Sequence, residues 1–224
     1  MTNTLLIKPL QKRSKHSLER LLNASADQIA TGNFENVSVA EITRQAKCSV
    51  GTFYGRFQNK AALFHVVQER VFNTALGYID SKINDFEAGN LELTMPSPAR
   101  RSRVDAVNFS VDLAVDLYSQ HRGIFRAIFL HTRTKQDPAL IERVQQFNAA
   151  CMQASIRILK ATGHGQSVEA VKSWQDGFEI IAVYLRESIL FGNPVDTGNP
   201  YDLTAMKEVA ASMFSAYLEQ RSEV

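Results

Sequence analysis

The chain has 224 residues, 45% of them hydrophobic and 21% charged, with a net charge of only +2. Those totals fit one or two packed soluble domains and exclude a disordered polyelectrolyte. The charge is unevenly spread: residues 1–60 hold nine Lys/Arg against four Asp/Glu, while the remainder is slightly acidic. A basic end on a near-neutral body suggests a module for a polyanion joined to something else. Cys48 and Cys151 lie far apart in no paired spacing, as expected of free thiols in a reducing compartment. The apolar patch at Leu5, Leu6 and Ile7 is too short for a secretory signal, and no run of about 18 apolar residues is present. The expectation is a cytoplasmic protein.

Apolar residues recur at helical spacing throughout, and no run alternates long enough for a sheet. Leu18, Leu21, Leu22, Ser25 and Ile29 form the face of a first helix that Gly32 can close in the left-handed conformation. A second short helix over about 38–45 opens on the S-x-x-E capping box of Ser38 and Glu41, with Val39, Ile42 and Ala46 inward. Lys47, Cys48 and Ser49 make a three-residue turn, and Ser49 can cap a third helix over about 50–57 carrying Phe53 and Phe57 on one face. Two short helices joined by a tight turn are a helix-turn-helix. Asn59 caps a long helix with the stripe Leu63, Val67, Val71, Ala75, Ile79 and Ile83. Residues 87–99, with Gly89, Asn90, Pro96 and Pro98, then read as a loop.

Further helices are predicted around Val104, Val107, Val111, Val115 and Tyr118, and around Ile124, Phe125, Ile128 and Phe129. Asp137-Pro138 is a cap with proline at the first helical position, opening a helix that Gly163 ends. Ser167 starts the next, with Val171, Trp174, Phe178, Ile181, Leu185 and Ile189 on one side and a stop at Gly192. Asn199-Pro200 repeats the device for a last helix carrying Leu203, Met206, Val209, Met213, Phe214 and Tyr217. The predicted class is all-α, with about nine helices.

In a helix-turn-helix the second helix enters the major groove with its N-terminal residues against base edges. Candidate DNA-binding residues are therefore Ser38, Arg44, Ser49, Val50, Gly51, Thr52, Tyr54, Arg56 and Lys60. Gly51 permits close approach, Thr52 and Tyr54 offer hydroxyls, and Arg56 a guanidinium. Lys60 is placed to clamp a phosphate at the start of the long helix. Each has a plainer reading: Arg44 and Arg56 as solvated charges, Tyr54 as packing on helix ends. Lys12, Arg13 and Lys15 either face the phosphate backbone or belong to a disordered basic arm.

The segment from Ala46 to Lys60, with Ser49, Gly51, Thr52, Phe53, Tyr54, Phe57 and Asn59 in register, resembles the DNA-binding domain of the TetR/AcrR transcriptional regulators. The likeness extends over about residues 12–75 and includes Phe34. Two departures stand out: Lys47 where the family usually has Gly, and Cys48 where it usually has Val. The resemblance implies a DNA-binding domain over 1–60, with a basic arm at 1–15, and a helical ligand-binding and dimerisation domain over 61–224. It implies a homodimer formed through about 167–220, a palindromic double-stranded operator as partner, and a small-molecule effector that releases the protein from DNA. Candidate pocket residues are Tyr118, His121, Arg122, Phe125, Phe129, Phe147, Cys151, Trp174, Phe178 and Tyr184, since aromatic walls with a few polar groups make such sites. The same aromatics also read as ordinary core.

The five histidines have no metal-ligand spacing, Gly163-His164-Gly165 lacks a preceding strand for a phosphate loop, and Asp112 and Asp116 sit one turn apart as on a solvated face. No cofactor is expected, and an enzyme is disfavoured. Two rivals to the ligand-released repressor stay open: a DNA-binding dimer whose second domain binds no ligand, and a helical enzyme.

Overall fold

The computed structural model describes residues 12–32, 34–90, 97, 100–192 and 202–222. Nine helices and no strands are present among them, in the order α1 (Lys12–Ala30), α2 (Val39–Gln45), α3 (Val50–Tyr54), α4 (Lys60–Ala88), α5 (Arg103–Gln120), α6 (Arg122–Lys135), α7 (Pro138–Ala161), α8 (Val168–Phe191) and α9 (Leu203–Ser222). None of these helices is long and apolar enough to cross a membrane. The all-α reading therefore stands. The predicted arm lies mostly outside the described residues, as do most of the 87–99 loop and the Asn199-Pro200 cap. The final helix begins at Leu203, where Asp202 Oδ1 accepts from the amides of Thr204 (3.0 Å) and Ala205 (3.1 Å) and so supplies the N-cap.

Packing divides the chain into two units. The first comprises residues 1–74 and 122–144, the second residues 75–121 and 145–224. The division falls inside α4 and not before it, and α6 joins the N-terminal helices. Sequence order could not show this, because a helix distant in the chain completes the first core. In that unit Leu21, Ile29, Ile42, Phe53, Phe57 and Leu63 are fully buried. Burying each such side chain is worth about 1.5–3 kcal/mol against the entropy of ordering it. α6 comes so near α1 that a Cβ on Gly123 would lie 2.7 Å from the carbonyl oxygen of Ala30. Phe125 and Phe129 pack against Phe72 at 6.1 and 6.4 Å between ring centroids.

The second unit is built on longer helices. Trp174 is fully buried, 4.6 Å from the Phe214 ring, and its indole N–H donates to Ser155 Oγ at 3.3 Å. This brings α7, α8 and α9 together. Gly177 lets α9 approach α8, since a Cβ there would lie 2.6 Å from the Phe214 ring. Phe86 stacks on Phe109 with centroids 4.4 Å apart, and the Arg101 guanidinium lies 4.2 Å from the Phe86 ring and donates to the Phe86 carbonyl. Arg157 on α7 holds three side chains of α4, namely Asp80, Asn84 and Glu87. A second capping box, Ser102 with Asp105, opens α5; its aspartate in the glutamate position keeps it outside the S-x-x-E pattern that marks α2.

Candidate functional site

The turn between α2 and α3 is fixed by local chemistry. Glu41 accepts from the Ser38 amide (2.7 Å) while its own amide donates to Ser38 Oγ (3.1 Å), completing the predicted capping box. Hydrogen bonds from Ser38 hold the Glu41 carboxyl below its usual range. At the other end of α2, the amide of Lys47 donates to the Arg44 carbonyl (3.1 Å) and that of Cys48 to the Thr43 carbonyl (2.9 Å). This is a Schellman motif with Lys47 at the left-handed position, φ +51°. Arg20 of α1 secures the turn, its Nε donating to the Ala46 carbonyl at 2.8 Å. No sequence pattern pointed to Arg20, because Ala46 lies 26 residues away and is met through its backbone.

Ser49 then caps α3, accepting from the Thr52 amide at 3.1 Å and sharing a hydrogen bond with Thr52 Oγ1 at 2.9 Å. α3 is shorter than expected, ending at Tyr54 with Gly55 as C-cap. Phe53 and Phe57 still both point into the core and are wholly buried. The opposite face is open: Val50 is 43% and Tyr54 56% exposed, and Gly51 is exposed as well. A Cβ added to Gly51 would meet only Ser49 Oγ, at 3.7 Å. Nothing inside the protein therefore requires glycine there. Arg44 is exposed in the last turn of α2.

Two of the nominated cations sit differently. Arg56 is only 8% exposed, and its Nη2 donates to Ser17 Oγ at 2.9 Å, so the guanidinium is held in the junction with α1. Lys60 donates to the carbonyls of Glu35 and Val37, both at 2.9 Å, and stands 5.1 Å from the Phe34 ring. It thus ties the α1–α2 connection to the start of α4, a structural task that spacing alone does not reveal. Burial pushes the Cys48 thiol up, against the pull of Arg20 and Arg56, which leaves it a small neutral side chain in the turn.

Residues 21–67 match the family described as bacterial regulatory proteins, tetR family. That stretch, from within α1 into α4, is a TetR-family DNA-binding segment. No curated protein matches the sequence. Solved structures do. A Mesorhizobium loti protein assigned to the TetR-family transcriptional regulators superposes with a TM-score of 0.66 at 16% identity, covering 93% of this chain and 98% of its own. The transcriptional regulator FadR from Bacillus subtilis, in complex with stearoyl-CoA, gives 0.62 at 13% identity over 88% and 97%. A Rhodococcus protein assigned to the same family gives 0.53 at 13% identity over 91% and 99%. At such identities the structural likeness establishes the fold alone, and the match over residues 21–67 relates that segment to the family.

The second unit of this chain contains a partly open cavity of about 390 Å³. Its walls are Ile79 of α4, Leu113, Leu117 and Tyr118 of α5, Met152 and Ile158 of α7, and Phe178 and Val183 of α8. Of the ten nominated pocket residues, Tyr118, Cys151 and Phe178 line it. Phe125 and Phe129 belong to the core of the other unit, and His121 and Arg122 are exposed at the α5–α6 junction. Phe147 is buried in core and Trp174 packs on Phe214. Tyr184 lies on α8, outside the cavity lining. Aromatic character picked out core as readily as cavity, because both are apolar; aliphatic and small residues such as Ala114, Ala149 and Ala182 leave the space.

The polar groups deep in its lining include the Tyr118 phenol, the Cys151 thiol and the Ser110 and Ser155 hydroxyls. Burial pushes the Tyr118 phenol up, and the Arg186 guanidinium hydrogen-bonded to it pulls the other way. Burial also raises the Cys151 thiol, to about 12. Both are neutral at physiological pH. Ser110 is 3% exposed and its Oγ has no hydrogen-bond partner among the described residues.

Proposed function

We propose that this chain is a homodimeric TetR-family repressor, held on a palindromic operator by α3 and released when a small molecule occupies the cavity of its second unit. The observation that carries the DNA half is the division of α3: Phe53 is fully buried while Val50, Gly51 and Tyr54 are presented outward on a helix capped at its start. Two such helices related by a two-fold axis meet successive major grooves about one helical turn apart. Phosphate contacts from exposed bases such as Arg44 set position, and the α3 side chains choose sequence.

Dimerisation is supported by the outer faces of α8 and α9. Ile180 (51% exposed) stands on one, and Val209 (47%) and Met213 (47%) stand four apart on the other, while the exposed Val183 (42%) lines the open side of the cavity. Neighbouring apolar faces on two long helices suit a four-helix interface with their symmetry mates. Ligand control is supported by the cavity itself, by its Ile79 wall on the same helix that starts at Lys60, and by the acyl-CoA bound in the similarly folded FadR. The ligand acts by population shift: it must bind the non-DNA shape better than the DNA shape. The regulator works in the cytoplasm, beside its operator.

A gel-shift titration against DNA selected by the wild-type protein tests the DNA half. Tyr54→Ala is expected to weaken binding about tenfold or more. Gly51→Ala is expected to fold at least as well as wild type, because alanine is the better helix former, and yet to bind DNA less tightly. Wild-type affinity in both variants would remove α3 from the interface.

A further inference from the structure

The face that α3 turns outward lacks the groups that most often read bases. Direct readout in the major groove relies chiefly on Arg or Lys against guanine and on Asn or Gln against adenine. The five residues Val50–Tyr54 contain no cation, carboxylate or amide. Arg56, the first basic residue after the helix, is held inward by its bond to Ser17 of α1. Asn59 Oδ1 accepts from the Ala62 amide at 2.8 Å and so belongs to the start of α4. The exposed cations that precede α3, Arg44 and Lys47, stand on α2 and in the turn, and the exposed amide of Gln58 lies beyond the end of the helix.

What α3 does present is apolar. Val50 and Tyr54, both exposed, stand four residues apart on one side of the helix. Gly51 beside them leaves the approach open, since a Cβ there would meet only Ser49 Oγ. The hydroxyls carry little sequence information. Ser49 Oγ and Thr52 Oγ1 share one hydrogen bond at 2.9 Å, which uses one of their two protons and leaves a single donor for the pair. The Tyr54 phenol adds one more. A single donor to purine N7 meets the same acceptor on adenine and on guanine. The thymine 5-methyl is different in kind, an apolar group on a base edge that cytosine lacks. An apolar side chain gains by covering that methyl. Over cytosine the same side chain strips water from the N4 donor and returns no bond.

We infer that α3 selects its half-site through thymine 5-methyl groups, received on the strip formed by Val50 and the Tyr54 ring, and not through a paired hydrogen bond to a purine. This rests on the reading of α3 as the DNA-contacting helix. The test uses the full-length protein and an operator obtained by selection with it. Thymines are replaced by deoxyuridine, which lacks only the methyl, and guanines by 7-deazaguanine, which lacks the N7 acceptor, at matching positions of the two half-sites. Affinities come from gel-shift titrations at one salt concentration, because phosphate contacts make binding salt-dependent. At least one thymine position is expected to lose about fourfold per methyl, the worth of one buried methyl group, and about fifteenfold with both half-sites changed. 7-Deazaguanine is expected to cost less than deoxyuridine does. Val50→Ala alters an exposed position and leaves the buried Phe53 face untouched, so it is expected to fold as wild type and to lose most of the deoxyuridine penalty. Tyr54→Phe retains the ring and is expected to keep the penalty. The inference is overturned if no deoxyuridine operator binds more weakly, if 7-deazaguanine costs more, or if Val50→Ala keeps the full penalty while Tyr54→Ala still weakens binding. Failure of the underlying reading looks different: Tyr54→Ala and Gly51→Ala then bind the unmodified operator as tightly as wild type, and the inference falls with it.

Discussion

α3 and the cavity are both candidate binding sites, but they are made in different ways. α3 is five residues long, and nearly everything that shapes it lies within a dozen positions: Ser38 with Glu41, the Schellman turn at Lys47, and the Ser49 cap. The cavity draws on four helices, from Ile79 to Arg186, and is defined by where side chains are small. A site built from caps and turns states its geometry locally. A site built from missing volume depends on which helices pack together, so a single residue on its wall says little by itself.

The largest effects should expose that contrast through the cores behind the two sites. Phe53→Ala removes a fully buried ring directly behind the DNA-facing side of α3 and is expected to cost about 3–5 kcal/mol. The measurement is hydrogen exchange of the α2 and α3 amides, which should lose protection together with operator binding. In the other unit Gly177→Ala pushes a methyl into the Phe214 ring, which is 1% exposed and already packed on Trp174. About 1–3 kcal/mol of overpacking is expected, read as a lower urea midpoint by Trp174 fluorescence. If Phe53→Ala left the α3 amides protected, α3 would not depend on its core face, and the local account of the site would fail.

A smaller pair of effects separates two arginines that look alike in sequence. Arg56→Ala empties a buried position bonded to Ser17, and a stability decrease of about 1–3 kcal/mol is expected. Arg44→Ala touches an exposed side chain on α2. It is expected to leave stability unchanged and to reduce the slope of log affinity against log salt by about 0.9 for each phosphate that Arg44 neutralises. Denaturation curves and salt-titrated DNA binding measure the two. Arg44→Ala with an unchanged slope would place α2 away from the phosphates.

What could be read beforehand follows the same division. Helix starts at Ser38, Ser49, Asn59, Asp137 and Ser167, and stops at Gly32 and Gly163, were legible because caps and left-handed glycines announce themselves within a few residues. The outward Tyr54 and inward Phe53 followed from helical spacing. Arg56 and Lys60 were legible as charges and not as bonds: their partners, Ser17 and the carbonyls of Glu35 and Val37, are 23 to 39 residues away. Phe125 and Phe129 read as pocket lining because nothing in their own segment shows that α6 packs with α1. Ser110 is silent in the sequence, since a serine inside a helix looks ordinary until its hydroxyl is found buried and alone among the described residues.

The smallest effect concerns the turn itself. Lys47 occupies the left-handed position at φ +51°, where a Cβ crowds the following carbonyl and costs roughly 1–2 kcal/mol. Glycine relieves that strain but enlarges the unfolded ensemble, which returns about 0.4–1 kcal/mol. Lys47→Gly is therefore expected to stabilise the first unit by about 0.5–1 kcal/mol, visible as slower exchange of the Cys48 and Ala46 amides that donate to the Thr43 and Ile42 carbonyls. Lys47→Ala, which keeps the Cβ and removes only the charge, is the control and should leave exchange unchanged. Equal gains in both variants would assign the effect to charge, since Arg20 and Arg56 surround this turn. A gain in glycine alone would show that the Schellman turn holds its lysine against backbone preference, with the Arg20 bond to the Ala46 carbonyl among the contacts that keep it there.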